Sequence, residues 1–366
     1  MSVATRFAFT PAASPATDEW IQQVFANPGF ARHHTDYMVR VDWTTDDGWH
    51  SPRVLPYGPL SLDPATSALH YGQEIFEGLK AYRYSDGSVV CFRPEQNAAR
   101  FARSAQRLAM PSLPEELFLS SIESLLQHDS RWVPSGSESS LYLRPFMFAT
   151  EPVLGVKPSN SYAYLLIAAP AGSYFPGGIK PVTVWISTEY VRAAPGGTGE
   201  AKAAGNYAAS LVAQAQAAEQ GCDQVVWLDA VHRKYIEEVG AMNLAFVFGR
   251  GDNAQIVTPP LSGSLLPGVT RMSLLQVAAD LGYSVAERAV SVDEWRAGCA
   301  SGDITEVFGC GTAAVITPVG AVKSAVGNWT VGDGAPGAVT MRLREQLLAI
   351  QTGAAPDRHG WIRRMA

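Results

Sequence analysis

Apolar and polar residues alternate along "YMVRVDW" (37–43), the period-two pattern of a half-buried strand. "GSVVCFRP" (87–94) predicts another strand, entered from a turn at Asp86-Gly87. The period then changes. In "EQNAARFARSAQRLAM" (95–110), Ala98, Phe101, Ala105 and Leu108 fall on one face, which predicts a helix stopped by Pro111. "EELFLSSIESLLQHD" (115–129) predicts a second helix with Leu117, Ile122, Leu125 and Leu126 inward. "SSLYLRPFMF" and "SYAYLLIAAP" are strand-like. "PAGSYFPGGIKP" (170–181) breaks the pattern with prolines and glycines and is the natural linker.

Beyond it, "VTVWIST" (182–188), "DQVVWLD" and "AMNLAFVFG" predict strands. "NYAASLVAQAQAAEQG" (206–221) predicts one alanine-rich helix ending at Gly221. "VTRMSLLQVAADLG" (269–282) predicts another, with Met272 and Leu275 sharing a face. The first thirty-odd residues have no such pattern and are expected to form an irregular arm. The fold class is therefore mixed α/β. Two domains are expected: 1–174, a linker at 175–181, and 182–366.

Composition narrows the function classes. The net charge of −6 gives no electrostatic reason for a nucleic-acid partner. No apolar run approaches the roughly 18 residues of a membrane span, and the N-terminus lacks a secretory signal pattern. Cys91, Cys222, Cys299 and Cys310 are widely spaced and form no CxxC. That spacing suggests neither zinc nor a disulfide framework, and fits free thiols in a reducing cytoplasm. No metal site is expected.

Lysines are few: Lys80, Lys157, Lys180, Lys202, Lys234 and Lys323. One of them, Lys202, lies in "GGTGEAKAAGNY", among glycines and alanines. The string is superficially close to a phosphate loop, but Ala201 precedes the lysine and Ala203 replaces the hydroxyl residue that would hold magnesium. Two readings remain: a solvated lysine in a loop, or an amine that forms a Schiff base, with small neighbours admitting a flat cofactor.

Seven strings decide between them. "HYGQEIFEGLKAYR" (70–83), "FRPEQNAARFARSA", "LYLRPF", "AKAAGNY", "YIEEVGAMN", "LLPGVTR" and "EVFGCGTAAVITPV" occur in this order. In order and spacing they resemble the branched-chain amino acid aminotransferases of fold type IV. The resemblance runs over nearly the whole chain. It implies a smaller N-terminal and a larger C-terminal domain, with pyridoxal 5′-phosphate in the cleft between them, and transamination of Leu, Ile and Val with 2-oxoglutarate. The alternatives within the same fold type are a D-amino acid aminotransferase and an aminodeoxychorismate lyase; "YLRPF" and "YIEEVGAMN" match the branched-chain group better.

Roles follow from that resemblance. Lys202 matches the lysine that carries the cofactor and then moves the substrate proton. Tyr207 matches the residue at the phenolic oxygen, and Glu238 the acid at the ring nitrogen, with Glu237 on the opposite side of an extended segment. Arg100, Val269, Thr270 and Thr312 match the phosphate site. Tyr71, Phe76, Tyr142, Arg144 and Tyr174 match the substrate pocket, and the N–H groups of Ala313 and Ala314 would take the α-carboxylate. In the family, Tyr71, Tyr142 and Arg144 tend to reach the neighbouring subunit's site, which implies a homodimer. Some relatives carry a redox-sensitive CxxC after the "GTA" turn; here Ala314 and Thr317 stand at those positions.

Overall fold

The computed structural model describes residues 6–136, 138–172 and 178–366. The chain divides into two units: Met1–Tyr174 with Ala201–Gly205 and Ile350–Ala366, and Phe175–Glu200 with Asn206–Ala349.

The first unit is built on one sheet. Its strands are β1 (Ala8–Phe9), β2 (Tyr37–Thr44), β3 (Gly48–Pro56), β4 (Glu74–Phe76), β5 (Leu79–Arg83), β6 (Val89–Phe92), β7 (Ser140–Ala149) and β8 (Ser161–Ala171). Their spatial order is β1-β3-β2-β8-β7-β5-β6, with β4 also on β7. Its helices are α1 (Asp18–Ala26), α2 (Ser67–Tyr71), α3 (Pro94–Arg107) and α4 (Glu115–Asp129). The apolar faces of α3 and α4 meet the sheet, and Phe101, Phe118 and Tyr164 pack with ring centroids 5.6–6.4 Å apart. All three are fully buried, and each such ring adds about 0.5–1.5 kcal/mol beyond its area. α3 ends at Arg107, and Leu108, its half-buried cap, still packs against the core that holds Ala98, Phe101 and Ala105.

Two expectations for this unit change. The N-terminal arm contains a helix, α1, because Thr17 accepts from the Trp20 N–H and Ile21 and Val24 are buried. The C-terminal residues belong here rather than with the second domain. The last strand, Ile362–Arg364, pairs antiparallel with β6, and Arg363 reaches Glu95 and Glu123 at 3.1 Å each.

In the second unit, the strands are β9 (Val182–Ile186), β10 (Gln224–Leu228), β11 (Ile236–Val239), β12 (Met242–Phe248), β13 (Gln255–Thr258), β14 (Ser284–Glu287), β15 (Ile304–Gly311), β16 (Val315–Lys323) and β17 (Trp329–Thr330). The order is β11-β10-β9-β16-β15-β12-β13-β14, and β11 also pairs with β12. That extra pairing closes β11, β10, β9, β16, β15 and β12 into a ring, which leaves those strands no open edge at that point. Val184, Val226, Leu244, Phe246, Val307 and Val319 contribute to its apolar core. The remaining helices are α5 (Ala204–Ala208), α6 (Leu211–Glu219), α7 (Val269–Asp280), α8 (Val292–Ser301) and α9 (Ala338–Gln351).

The single helix expected over 206–221 is two, α5 and α6. Ser210 turns both its N–H (3.1 Å) and its Oγ (2.6 Å) onto the Tyr207 carbonyl, so side chain and backbone share one acceptor at the break. On α7 the buried stripe is Leu274, Val277 and Ala278; Met272 and Leu275 are half-buried.

A buried acid in the first unit provides a stability test. Asp129 is fully buried and accepts the Tyr37 N–H at 3.1 Å. Burial, reinforced by nearby Asp36, raises its carboxyl to about 7. The folded state thus holds this proton more tightly than the unfolded chain, so stability declines as pH rises from about 4 through 7. Asp129→Asn stays neutral and keeps an acceptor. Its melting temperature relative to the parent should rise by ~2 °C or more between pH 5 and pH 8, measured by differential scanning fluorimetry. A difference that does not change with pH contradicts the assignment.

Candidate active site

The site residues fall into two sets, one in each unit. In the first unit, the segment Ala201–Gly205 is fastened as an added edge to β4. The Phe76 N–H donates to the Lys202 carbonyl (3.0 Å), and Ile75 and Ala203 form an antiparallel bridge. On the other side, the Lys202 N–H donates to Ser104 Oγ on α3 at 2.9 Å. Ala201 and Ala203 are buried at 2% and 4% exposure. Small residues flank the lysine because its backbone is wedged between a strand and a helix. Lys202 itself is half-buried, with Nζ 4.4 Å from the Phe76 ring centroid.

That ring has a second cation. Arg144 Cζ lies 4.7 Å from the Phe76 centroid, and Arg144 Nη2 donates to the Tyr142 hydroxyl at 2.9 Å. Tyr142 occupies space that only a glycine at position 78 leaves free; a Cβ there would sit 2.1 Å from the Tyr142 hydroxyl oxygen. Arg144, Tyr142, Phe76 and Lys202 are thus neighbours within one chain. Within the chain the contacts of Tyr142 and Arg144 run through Phe76 to Lys202. Tyr71, at the end of α2 and 43% exposed, is not drawn into this group.

One turn before Ser104, Arg100 is buried against Glu77. Its Nε and Nη2 donate to the two carboxylate oxygens at 2.7 and 2.8 Å, and Asn97 Nδ2 adds a bond at 2.8 Å. Burial pushes the Glu77 carboxyl up, but the Arg100 guanidinium, then Lys202 and Asn97, outweigh it and hold it below the usual carboxylate range. Removing one partner of such a buried pair typically costs about 3–5 kcal/mol. Glu77 therefore fixes the orientation of Arg100. It was missed in the sequence although it stands in "IFEG", directly after Phe76.

In the second unit, Glu238 and Glu237 are both buried, on opposite faces of β11. Glu238 Oε1 accepts from the Leu266 N–H (2.8 Å) and from Asn243 Nδ2 (3.1 Å). Its Oε2 lies 2.7 Å from Arg192 Nε, an ion pair whose N–H is angled out of hydrogen-bond alignment. Glu237 instead accepts from Ser264 Oγ and borders a separate cavity of about 250 Å³ with Pro259, Pro260 and Tyr235. Tyr207 and Glu238 line one recess together with Arg192, Asn206 and Leu266. Arg192 and Asn243 were also missed; nothing local in "YVRAA" or "AMN" marks them.

The loop that holds Glu238 runs on into α7. Asn243 Nδ2 also donates to the Leu266 carbonyl (2.9 Å), and a Cβ on Gly268 would sit 2.1 Å from Asn243 Oδ1. Val269 and Thr270 form the first turn of α7, both buried, and no side chain caps it among the described residues. Such a helix start seats an anion. Thr312, Ala313 and Ala314 form the turn between β15 and β16, closed by the Gly311–Val315 pair. Val315 has φ +63°, a left-handed conformation that costs a β-branched residue about 1–3 kcal/mol. Nearby Cys310 is buried, its thiol pushed up to about 12. Tyr174 lies outside the described residues, as does part of the expected linker.

Pyridoxal phosphate needs an amine for its aldehyde, an acid for its ring nitrogen and donors for its phosphate. The residues fit: an anchored lysine, a buried carboxylate, and an uncapped helix start on the loop that holds that carboxylate. Among the described residues no group of three or more His, Cys, Asp or Glu is placed to hold a metal. No helix among them is long and apolar enough to cross a membrane.

Comparison with known proteins agrees with this chemistry. Residues 74–322 match the family described as class IV amino-transferases. A branched-chain-amino-acid aminotransferase of Mycolicibacterium smegmatis is 62% identical over 360 residues, covering 98% of each chain. The Escherichia coli branched-chain amino acid aminotransferase shares the fold with a TM-score of 0.73 at 29% identity, over 90% of this chain and 99% of that one. A T.th. enzyme of the same name, solved with pyridoxamine 5′-phosphate, gives 0.72 at 28% identity over 89% and 98%. With such identity over nearly its full length, the chain belongs to the branched-chain-amino-acid aminotransferases of the class IV, fold-type IV aminotransferase family.

Proposed function

We propose that this protein transfers the amino group of branched-chain L-amino acids to 2-oxoglutarate, reversibly and in two stages, with pyridoxal 5′-phosphate as cofactor. When bound, the cofactor supplies the carbonyl that accepts the amino group and the ring that accepts electrons. The observation that carries the reading is the pairing of Lys202 and Arg144 around one apolar ring, Phe76. A site serving Leu, Ile or Val in one stage and glutamate in the other needs an apolar wall with a cation at its far end. Phe76 and Tyr142 supply the wall, and Arg144 the charge for the γ-carboxylate.

The chain's own groups then have separate tasks. Lys202 Nζ takes the proton from the substrate Cα and returns it on the other side of the transfer. Glu238 holds a proton on the ring nitrogen, and Tyr207 donates to the phenolic oxygen. Arg100, the first turn of α7 at Val269 and Thr270, and Thr312 hold the phosphate. The N–H groups of Ala313 and Ala314 receive the substrate α-carboxylate, and Tyr174 is assigned to the substrate pocket by the resemblance. Tyr71, exposed at the end of α2, is one of the candidates, with Tyr142 and Arg144, to reach the site of a second copy, as expected of a homodimer. The four free cysteines are consistent with a reducing cytoplasm.

Three measurements test this reading. L-Leucine, L-isoleucine and L-valine with 2-oxoglutarate should each yield glutamate, and D-leucine should not; turnover of the D-isomer alone would favour the D-amino acid aminotransferase. Borohydride reduction of the holoenzyme followed by peptide mapping should place the pyridoxyl group on Lys202. A label on Lys180 or Lys234 would contradict the assignment.

Arg144→Gln removes a charge-assisted contact worth about 1.5–3 kcal/mol. It should lower kcat/KM for the glutamate half-reaction by roughly 10- to 150-fold and for the leucine half-reaction much less, in single-turnover measurements. An equal loss in both halves would show that Arg144 orders the site without selecting the carboxylate.

A further inference from the structure

Arg192 has no part in the roles assigned above, yet it is 7% exposed and touches three separate segments. Its Nε lies 2.7 Å from Glu238 Oε2. Its Nη2 donates to the Gly199 carbonyl at 3.0 Å and to the Ser264 carbonyl. The first of these acceptors belongs to the segment that leads to Lys202. The second belongs to the loop that supplies the Leu266 N–H to Glu238.

The elements packed around Glu238 offer little other compensating charge: on β10, Trp227 stands opposite it and the strand Gln224–Leu228 carries no charged residue. On β11, Glu237 faces the other side and is bonded to Ser264. On β12, Asn243 is neutral. On β15, Cys310 stands opposite Asn243 with its thiol at about 12. On α5, Tyr207 shares the recess. On α7, Arg271 is engaged by Glu287 at 2.5 Å and by the Pro259 carbonyl at 2.9 Å. Arg192 is thus a cation in ion-pair contact with a carboxylate that is 3% exposed. A buried carboxylate without a counter-charge takes up a proton, and a protonated Glu238 cannot hold one on a ring nitrogen.

We propose that Arg192 is the positioning residue that keeps the Glu238 carboxylate charged and aimed, and that it acts on transamination only through Glu238. This rests on the reading of Glu238 as the partner of the ring nitrogen. Arg192→Gln, Arg192→Lys and Glu238→Gln, with the double variant Arg192→Gln/Glu238→Gln, test it in the holoenzyme.

In Arg192→Gln, the acid limb of the leucine half-reaction should move up by about 1–3 pH units, the shift expected when a carboxylate loses an adjacent arginine. The rate deficit at pH 7 should therefore shrink by pH 9. Affinity for pyridoxal phosphate, measured by quenching of tryptophan fluorescence, should fall at pH 7 and recover at pH 9 in the same variant. Arg192→Lys keeps the charge and should leave the acid limb in place. In the Glu238→Gln background, Arg192→Gln should cost little further.

A deficit of equal size at every pH, or one undiminished in the Glu238→Gln background, would overturn the proposal and leave Arg192 as a loop brace. If Arg192→Gln does not fold, a shifted acid limb in Arg192→Lys is the overturning result. Normal turnover by Glu238→Gln would instead show that the reading of Glu238 itself is wrong, and absence of leucine turnover in the parent enzyme that the functional reading is.

Discussion

A lysine proposed to react with a carbonyl cannot be left on a swinging segment. The constraint on which the first unit's site depends is the two-sided fastening of Lys202 by its own peptide groups. Its carbonyl is held by the Phe76 N–H and its N–H by Ser104 Oγ. The strand that offers the first bond also presents Phe76, the ring shared by the lysine amine and the Arg144 guanidinium. The helix that offers the second also presents Arg100, fixed by buried Glu77. Two elements therefore set backbone, amine and neighbouring charges together, and a change in either moves all of them.

The second unit solves a different problem, burial of a carboxylate. Glu238 receives a backbone N–H, an amide N–H and a guanidinium, so its charge is compensated on both oxygens. The loop providing the N–H continues into α7, and Asn243 bonds to both the acid and that loop. Acid and the start of α7 are thereby kept in one geometry by a single side chain. Strain concentrates nearby, where Val315 holds a left-handed conformation beside the turn of Thr312, Ala313 and Ala314. Strained backbone of this kind tends to cluster at functional sites.

Much of this was legible in the sequence where residue type and local period carry the information. Helix α4 has the expected limits, Glu115 to Asp129, because its apolar face repeats cleanly. Glu237 and Glu238 separate to opposite faces because strand alternation demands it. The lysine stood out because reactive amines are rare and its neighbours are small. What escaped was set by distant partners. The break between α5 and α6 depends on Ser210 competing for one carbonyl, and the C-terminal strand joins the first unit by pairing with β6. Glu77 and Arg192 have ordinary local contexts; each becomes meaningful only through a buried partner far away in sequence. The contact of Arg144 with Phe76 is likewise one that sequence spacing does not encode.

The central claim is that one set of residues handles an apolar and an acidic side chain in two successive half-reactions. The most direct measurement mixes stoichiometric holoenzyme with L-leucine alone, follows the cofactor absorbance, and then adds 2-oxoglutarate. The account predicts one equivalent of 4-methyl-2-oxopentanoate per chain in the first stage. It predicts full return of the starting spectrum with one equivalent of glutamate in the second. Release of oxo acid without recovery by 2-oxoglutarate, or no oxo acid until both substrates are present, would contradict it.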